Sequence, residues 1–151
     1  MKEVGWIFTA VALTASGVTA EHWWQFGGPG GNGHTTSVDL PIKWDEKNVV
    51  WKTEIHDRGW SSPVIWGEQI WVTTATEKGN RLFAVCVHKD TGKILHDIHV
   101  FDVDSAMAIT SANTYATPTP TIEEGRVYVH YGTYGTACIN TANGAILWSR
   151  R

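Results

Sequence analysis

Between residues 63 and 100 the apolar and polar positions fall into four short runs. PVIW (63–66), QIWVTTA (69–75), RLFAVCV (81–87) and KILHDIHV (93–100) are rich in β-branched and aromatic residues, the composition of a pleated, half-buried surface. Gly67-Glu68 joins the first pair and Asp90-Thr91-Gly92 the last, where glycine supplies the positive φ that a tight hairpin needs. LFAVCV is apolar at every position rather than alternating, so this strand is expected to be buried on both faces. The pattern predicts four antiparallel strands, and no window of the chain carries a convincing helical period.

The same pattern recurs. PVIWGEQIWV (63–72) lies over PTIEEGRVYV (120–129) without a gap, and AVCVHKDTGKIL (84–95) lies over TACINTANGAIL (136–147) after the second copy has lost five residues. This places Cys86 over Cys138 and Gly92 over Gly144, with Asn143-Gly144 as the second turn. NVVWKTE (48–54) is a third, partial copy that sets Trp51 against Trp148, and His96 takes that position in the middle copy. Nine Trp in 151 residues fit a packing role repeated from unit to unit. Trp148, at the recurrent position, is expected to be buried once the full set of repeats is present, whereas Trp66 sits at a hairpin edge. NVVWKTE reads as an outer strand with no inner strands before it.

Four-stranded antiparallel units of this length, each burying both faces, follow the logic of a β-propeller. SSPVIWGEQIWV with KDTGKIL, and TPTPTIEEGRVYV with TANGAILW, resemble the PQQ-like β-propeller repeat of quinoproteins and BamB-like proteins, over about residues 44–151. The resemblance implies an all-β fold of antiparallel four-stranded blades. About two blades are present, an incomplete ring, since closure takes about four to eight. The chain is therefore expected to be an N-terminal fragment of an exported bacterial member.

What precedes the repeats agrees with export. Residues 4–15 form an apolar run too short to span a bilayer comfortably, and Val18 and Ala20 meet the small-residue demand of a signal peptidase. Residues 1–20 are read as a signal peptide cut before Glu21, with an uncleaved anchor as the alternative because Lys2 is offset by Glu3. A periplasmic or secreted location follows, with no membrane span after cleavage. Residues 21–43 are a Gly-rich lead-in. Within it Gly28, Gly30 and Gly33 spell G-x-G-x-x-G, but no clear strand precedes the motif and HTTSVDLP, reaching Pro41, offers no helix to receive a phosphate. By resemblance, WWQFGGPGGNG packs its aromatics on the propeller and is structural.

Candidate chemistry is thin. His96 and His99 point to opposite faces of a strand and cannot share one ion. Asp102 and Asp104 suggest half of a calcium loop, without its further oxygen ligands, turn glycine or distal acid. Cys86 and Cys138, one blade apart, lie beyond disulfide reach and read as small buried hydrophobes with inert thiols. With 12 basic against 15 acidic residues and a net charge of -3, no basic stripe exists for nucleic acid. FDVDSAMAITSANTY (101–115) is expected to be a long loop and the place where a partner is contacted.

The resemblance leaves two functional classes. The first is an exported, non-catalytic propeller acting as a binding or assembly platform for a protein or cell-envelope partner, with no cofactor. The signal region contains no Cys to be lipidated, so the membrane role of BamB-like lipoproteins is not transferred. The alternative is the N-terminal part of a PQQ-dependent quinoprotein dehydrogenase oxidising alcohols or sugars, in which Ca²⁺ polarises the quinone and an Asp acts as base. No vicinal Cys pair and no assignable Glu, Asn and Asp set stand in these residues, so no catalytic, cofactor-binding or metal residue is named.

Overall fold

Eight strands form, four to a sheet, in the order the chain supplies them. The computed structural model describes residues 22–38 and 40–151, so the signal-peptide reading of residues 1–20 lies outside the described residues. In the first sheet β1 (Val64–Trp66), β2 (Gln69–Ala75), β3 (Arg81–His88) and β4 (Ile94–Asp102) pair as sequential antiparallel neighbours. The second repeats this with β5 (Thr121–Glu123), β6 (Arg126–His130), β7 (Thr136–Asn140) and β8 (Ile146–Arg150). Among the described residues helix is confined to two 3-10 turns, 46–48 and 132–134. The fold is all-β, two four-stranded antiparallel sheets consistent with two blades, and the described residues close no ring.

The predicted strands form within two residues of their expected bounds, because alternation and turn glycines specify register locally. The five residues missing from the second repeat come out of one hairpin. There β6 and β7 have five residues each, where β2 and β3 have seven and eight. β3 is buried from Leu82 through Val87, on both faces as expected.

Register places equivalent residues in equivalent rows. Trp71 pairs with Cys86 and Cys86 with His96 in the first sheet, as Tyr128 pairs with Cys138 and Cys138 with Trp148 in the second. The first row packs between the sheets with Leu82, Ala84 and Phe101, against Ile122, Val127, Val129, Ala137 and Ile139. Polar ties close the seam, since both the Gln69 side-chain amide and His96 Nε2 donate to the Thr141 carbonyl, at 2.8 and 3.1 Å.

The outer strand expected at 48–54 does not form among the described residues: Asn48 ends a 3-10 turn and residues 49–56 are unpaired in any ladder. They form no strand, because no neighbour offers them a ladder of backbone partners. Side chains anchor the segment instead: the Trp51 indole donates to the Lys89 carbonyl at 2.8 Å, and the Thr53 hydroxyl to that of Gly92. Among the described residues, Trp148 stands on the face that no second sheet covers. It is 41 % exposed on the outer face of the second sheet, whereas Trp66 is half-buried and stacked on His22 with centroids 4.1 Å apart. His96, at the equivalent position of the first sheet, is half-buried against the second.

The Gly-rich lead-in ties the two sheets together. Trp23 exchanges both backbone hydrogen bonds with Ile65 of β1, at 2.9 and 2.8 Å, and the Trp24 carbonyl accepts from Ile122 of β5 at 2.9 Å. The Trp23 ring lies against Gly28 so closely that a Cβ there would stand 2.6 Å from it. Among the described residues no strand leads into Gly28 and no helix opens at Gly33, so the dinucleotide reading has no structural context there.

Candidate functional site

The connection from β4 to β5, residues 103–120, folds back on the second sheet and leaves a groove of about 370 Å³. Its floor is Tyr131, almost fully buried, whose hydroxyl donates to the Phe83 carbonyl at 2.6 Å and whose ring meets Phe101 edge-on. Burial pushes that hydroxyl's pKa up, so it stays a neutral donor. The walls are Met107, Ile109 and Pro118 from the connection and Tyr134 from the 132–134 turn.

Two tyrosines hold the walls in place. The Tyr115 hydroxyl donates to the Met107 carbonyl at 2.8 Å, and the Met107 N–H donates to the Tyr134 hydroxyl at 2.9 Å. The Tyr115 ring packs against Gly79, where a Cβ would fall 2.6 Å from it, so the connection is clamped to the β2–β3 turn. Asn113 Oδ1 accepts from the Thr114 N–H and the Thr117 hydroxyl. The partner-contact loop expected at 101–115 lies here, although its first two residues complete β4.

Met107 and Ile109 stay exposed at the rim, at 58 % and 39 %. An apolar trough with fixed polar groups can take one or two apolar side chains of a partner, and methionine's soft, unbranched chain adapts to what it meets.

The candidates weighed on sequence disperse. His96 stacks on Trp71, 5.6 Å between centroids, while His99 lies against Phe83 and its Nε2 donates to the Phe101 carbonyl at 3.1 Å. Asp104 is exposed apart from them, and among the described residues no three His, Cys, Asp or Glu side chains gather as a metal site requires. Cys86 and Cys138 are both free and buried; burial pushes the Cys86 thiol up to about 12 and raises that of Cys138.

Sequence reasoning missed His56. Its Nδ1 meets Asp57 at 2.7 Å and its Nε2 meets Asp97 at 3.0 Å, and an ionised carboxylate can only accept, so both contacts favour the imidazolium form, which donates from both nitrogens. Partial burial pulls its pKa down, but hydrogen bonds and charge from Asp97 and Asp57 outweigh this and raise it. Asp97 lies 41 residues away, so no local pattern marks the clasp, which ties residues 49–57 to β4. A raised folded-state pKa contributes stability that is fully present below the unfolded value of about 6.5 and is lost as pH rises through the folded value. Solvent screening at this half-exposed position keeps the effect within about 1 kcal/mol. Melting curves of the chain and of His56→Gln are expected to differ at pH 5.5 and converge above the folded pKa; a gap constant with pH would refute the charged clasp.

Compared with known proteins, the chain matches no protein-family model and no curated relative.

Proposed function

We propose that this chain is an exported, non-catalytic binding platform of the PQQ-like β-propeller type, which captures an extended protein segment in the groove between residues 103–120 and Tyr134. The observation that carries this reading is the groove itself. It is the place where exposed apolar side chains, Met107 and Ile109, stand beside a wall whose tyrosines are fixed by hydrogen bonds to backbone. A preformed apolar surface loses little entropy on binding, which favours recognition of a peptide side chain. The equal register of Trp71, Cys86 and His96 with Tyr128, Cys138 and Trp148 supports the propeller repeat, and the leader-like residues 1–20 support a periplasmic or secreted location.

The test selects displayed peptides against the whole chain and measures their affinity by fluorescence anisotropy. Peptides with apolar anchors are expected to bind at micromolar concentration and to lose at least about tenfold with Ile109→Glu, since burying an aliphatic side chain is worth about 1.5–3 kcal/mol. Val50→Glu, at an exposed position outside the groove, should leave affinity unchanged. Failure to enrich any peptide, or equal binding by the Ile109→Glu variant, would remove the groove as the recognition site.

A further inference from the structure

Among the described residues, Met107 carries the one sulfur that solvent reaches. The chain holds two methionines and two cysteines. Met1 lies outside the described residues, and Cys86 and Cys138 are fully buried. Burial also holds both thiols above their ordinary pKa, so neither forms the thiolate that oxidants attack. Met107 is 58 % exposed, and a thioether reacts without first losing a proton.

Its backbone is held while its side chain is left free. The Met107 N–H donates to the Tyr134 hydroxyl at 2.9 Å, and its carbonyl accepts from the Tyr115 hydroxyl at 2.8 Å. Ala106, the residue before it, packs against the hydrophobic core. The same two tyrosines line the groove with Met107, their ring centroids 6.1 Å apart. The thioether therefore stands at the mouth of the groove on a fixed backbone, open to a small solute and part of the surface that a partner covers.

We propose that Met107 Sδ is an oxidation site for hydrogen peroxide, and that the sulfoxide formed there weakens capture of apolar side chains by the groove. The sulfur lone pair attacks one peroxide oxygen, and the S–O bond forms as the O–O bond breaks. Sulfur is oxidised by two electrons, and the other oxygen leaves as water with both peroxide protons. A soft, unbranched apolar contact becomes a polar group whose oxygen accepts hydrogen bonds and keeps water in the trough. Met107 stands outside the core, so the sheets are untouched by the change. The oxidation site stands by itself; its effect on capture rests on the groove being the recognition site.

The full chain is treated with hydrogen peroxide, and peptide mapping by mass spectrometry separates Met107 from Met1. Met107 is expected to gain one oxygen at a rate within about fivefold of that of a methionine in a free peptide, and slower reaction overturns the assignment. A peptide selected on the reduced chain is expected to bind the oxidised chain at least about fivefold more weakly, and methionine sulfoxide reductase should restore its affinity. In Met107→Leu, whatever its starting affinity, peroxide is expected to leave the value where it was, because leucine has no sulfur to oxidise. An equal loss in Met107→Leu overturns the proposal, as does equal binding by the reduced and oxidised forms of the unaltered chain. A melting temperature lowered by more than about 4 °C on oxidation also overturns it, by tracing the loss to the fold rather than to the groove. A reduced chain that enriches no peptide overturns the groove as recognition site and the effect on capture with it, while the mapped rate still decides the oxidation site.

Discussion

Trp71→Ala is expected to cost about 3–5 kcal/mol, the range for truncating a buried aromatic, and so to remove much of the stability of a small domain. Trp71 is fully buried between the sheets and stacked on His96. Its indole donates to Gln69 Oε1 at 3.0 Å, and the amide of Gln69 in turn reaches the Thr141 carbonyl of the other sheet. Truncation therefore leaves a cavity and also frees the glutamine that spans the seam. Trp148→Ala is the matched control, because Trp148 lies on the open face and loses far less contact. Urea midpoints measured by tyrosine fluorescence and circular dichroism should separate the two variants widely. Midpoints lowered equally would show that the row facing the seam is no more important than the row facing solvent.

That contrast also marks how far the sequence carried. β1 to β4 were legible because each run ends in its own turn signal and fixes its register within a few residues. The repeat alignment paired Cys86 with Cys138 and His96 with Trp148, and the ladders agree. Burial was a different matter. A repeat says which residues are equivalent, but whether an equivalent residue is covered depends on a neighbouring sheet, so His96 and Trp148 share a register position and differ in exposure. NVVWKTE (48–54) was legible as extended but not as unpaired, since a ladder belongs to two strands and the described residues supply only one there.

The candidate groove was legible in part. Its loop could be read at 101–115, though not its observed extent of 103–120, and its shape could not, because Tyr134 closes it from a turn beyond β6 and Tyr115 is clamped by Gly79 from another hairpin. His56 was hidden for the same reason, with Asp97 supplied by β4. Contacts between distant segments are set by packing, and local pattern carries no trace of them.

Gly59→Ala is expected to be the most damaging change of a single methyl group. From β1 onward a regular ladder along β2 would set Ser62 opposite Thr73 and Trp60 opposite Ala75. Instead Arg58 pairs with Ala75, exchanging backbone bonds of 3.0 and 2.9 Å, so two extra residues bow out between them. The Ser61 hydroxyl takes the Thr73 N–H at 2.9 Å in place of a backbone carbonyl. The bow brings Gly59 onto the Thr73 carbonyl, and a Cβ there would stand 2.1 Å from that oxygen. The obstacle is backbone in the central part of a strand, so no rotamer change relieves it, and either the Arg58–Ala75 bridge or the Ser61 bond must give way. Overpacking of this kind costs about 1–3 kcal/mol, with larger values where the backbone cannot yield. Gly67→Ala, in a turn with nothing within 4 Å of the added methyl but with φ at 58°, carries only the left-handed strain of about 1–2 kcal/mol. Calorimetric melting of the two variants, with hydrogen exchange at the Ala75 amide, separates the causes. Gly59→Ala should lower the melting temperature further and expose Ala75 to exchange. Protection of Ala75 equal to that in the unaltered chain would mean that the bow relaxes without opening the bridge, against the packing argued for this edge.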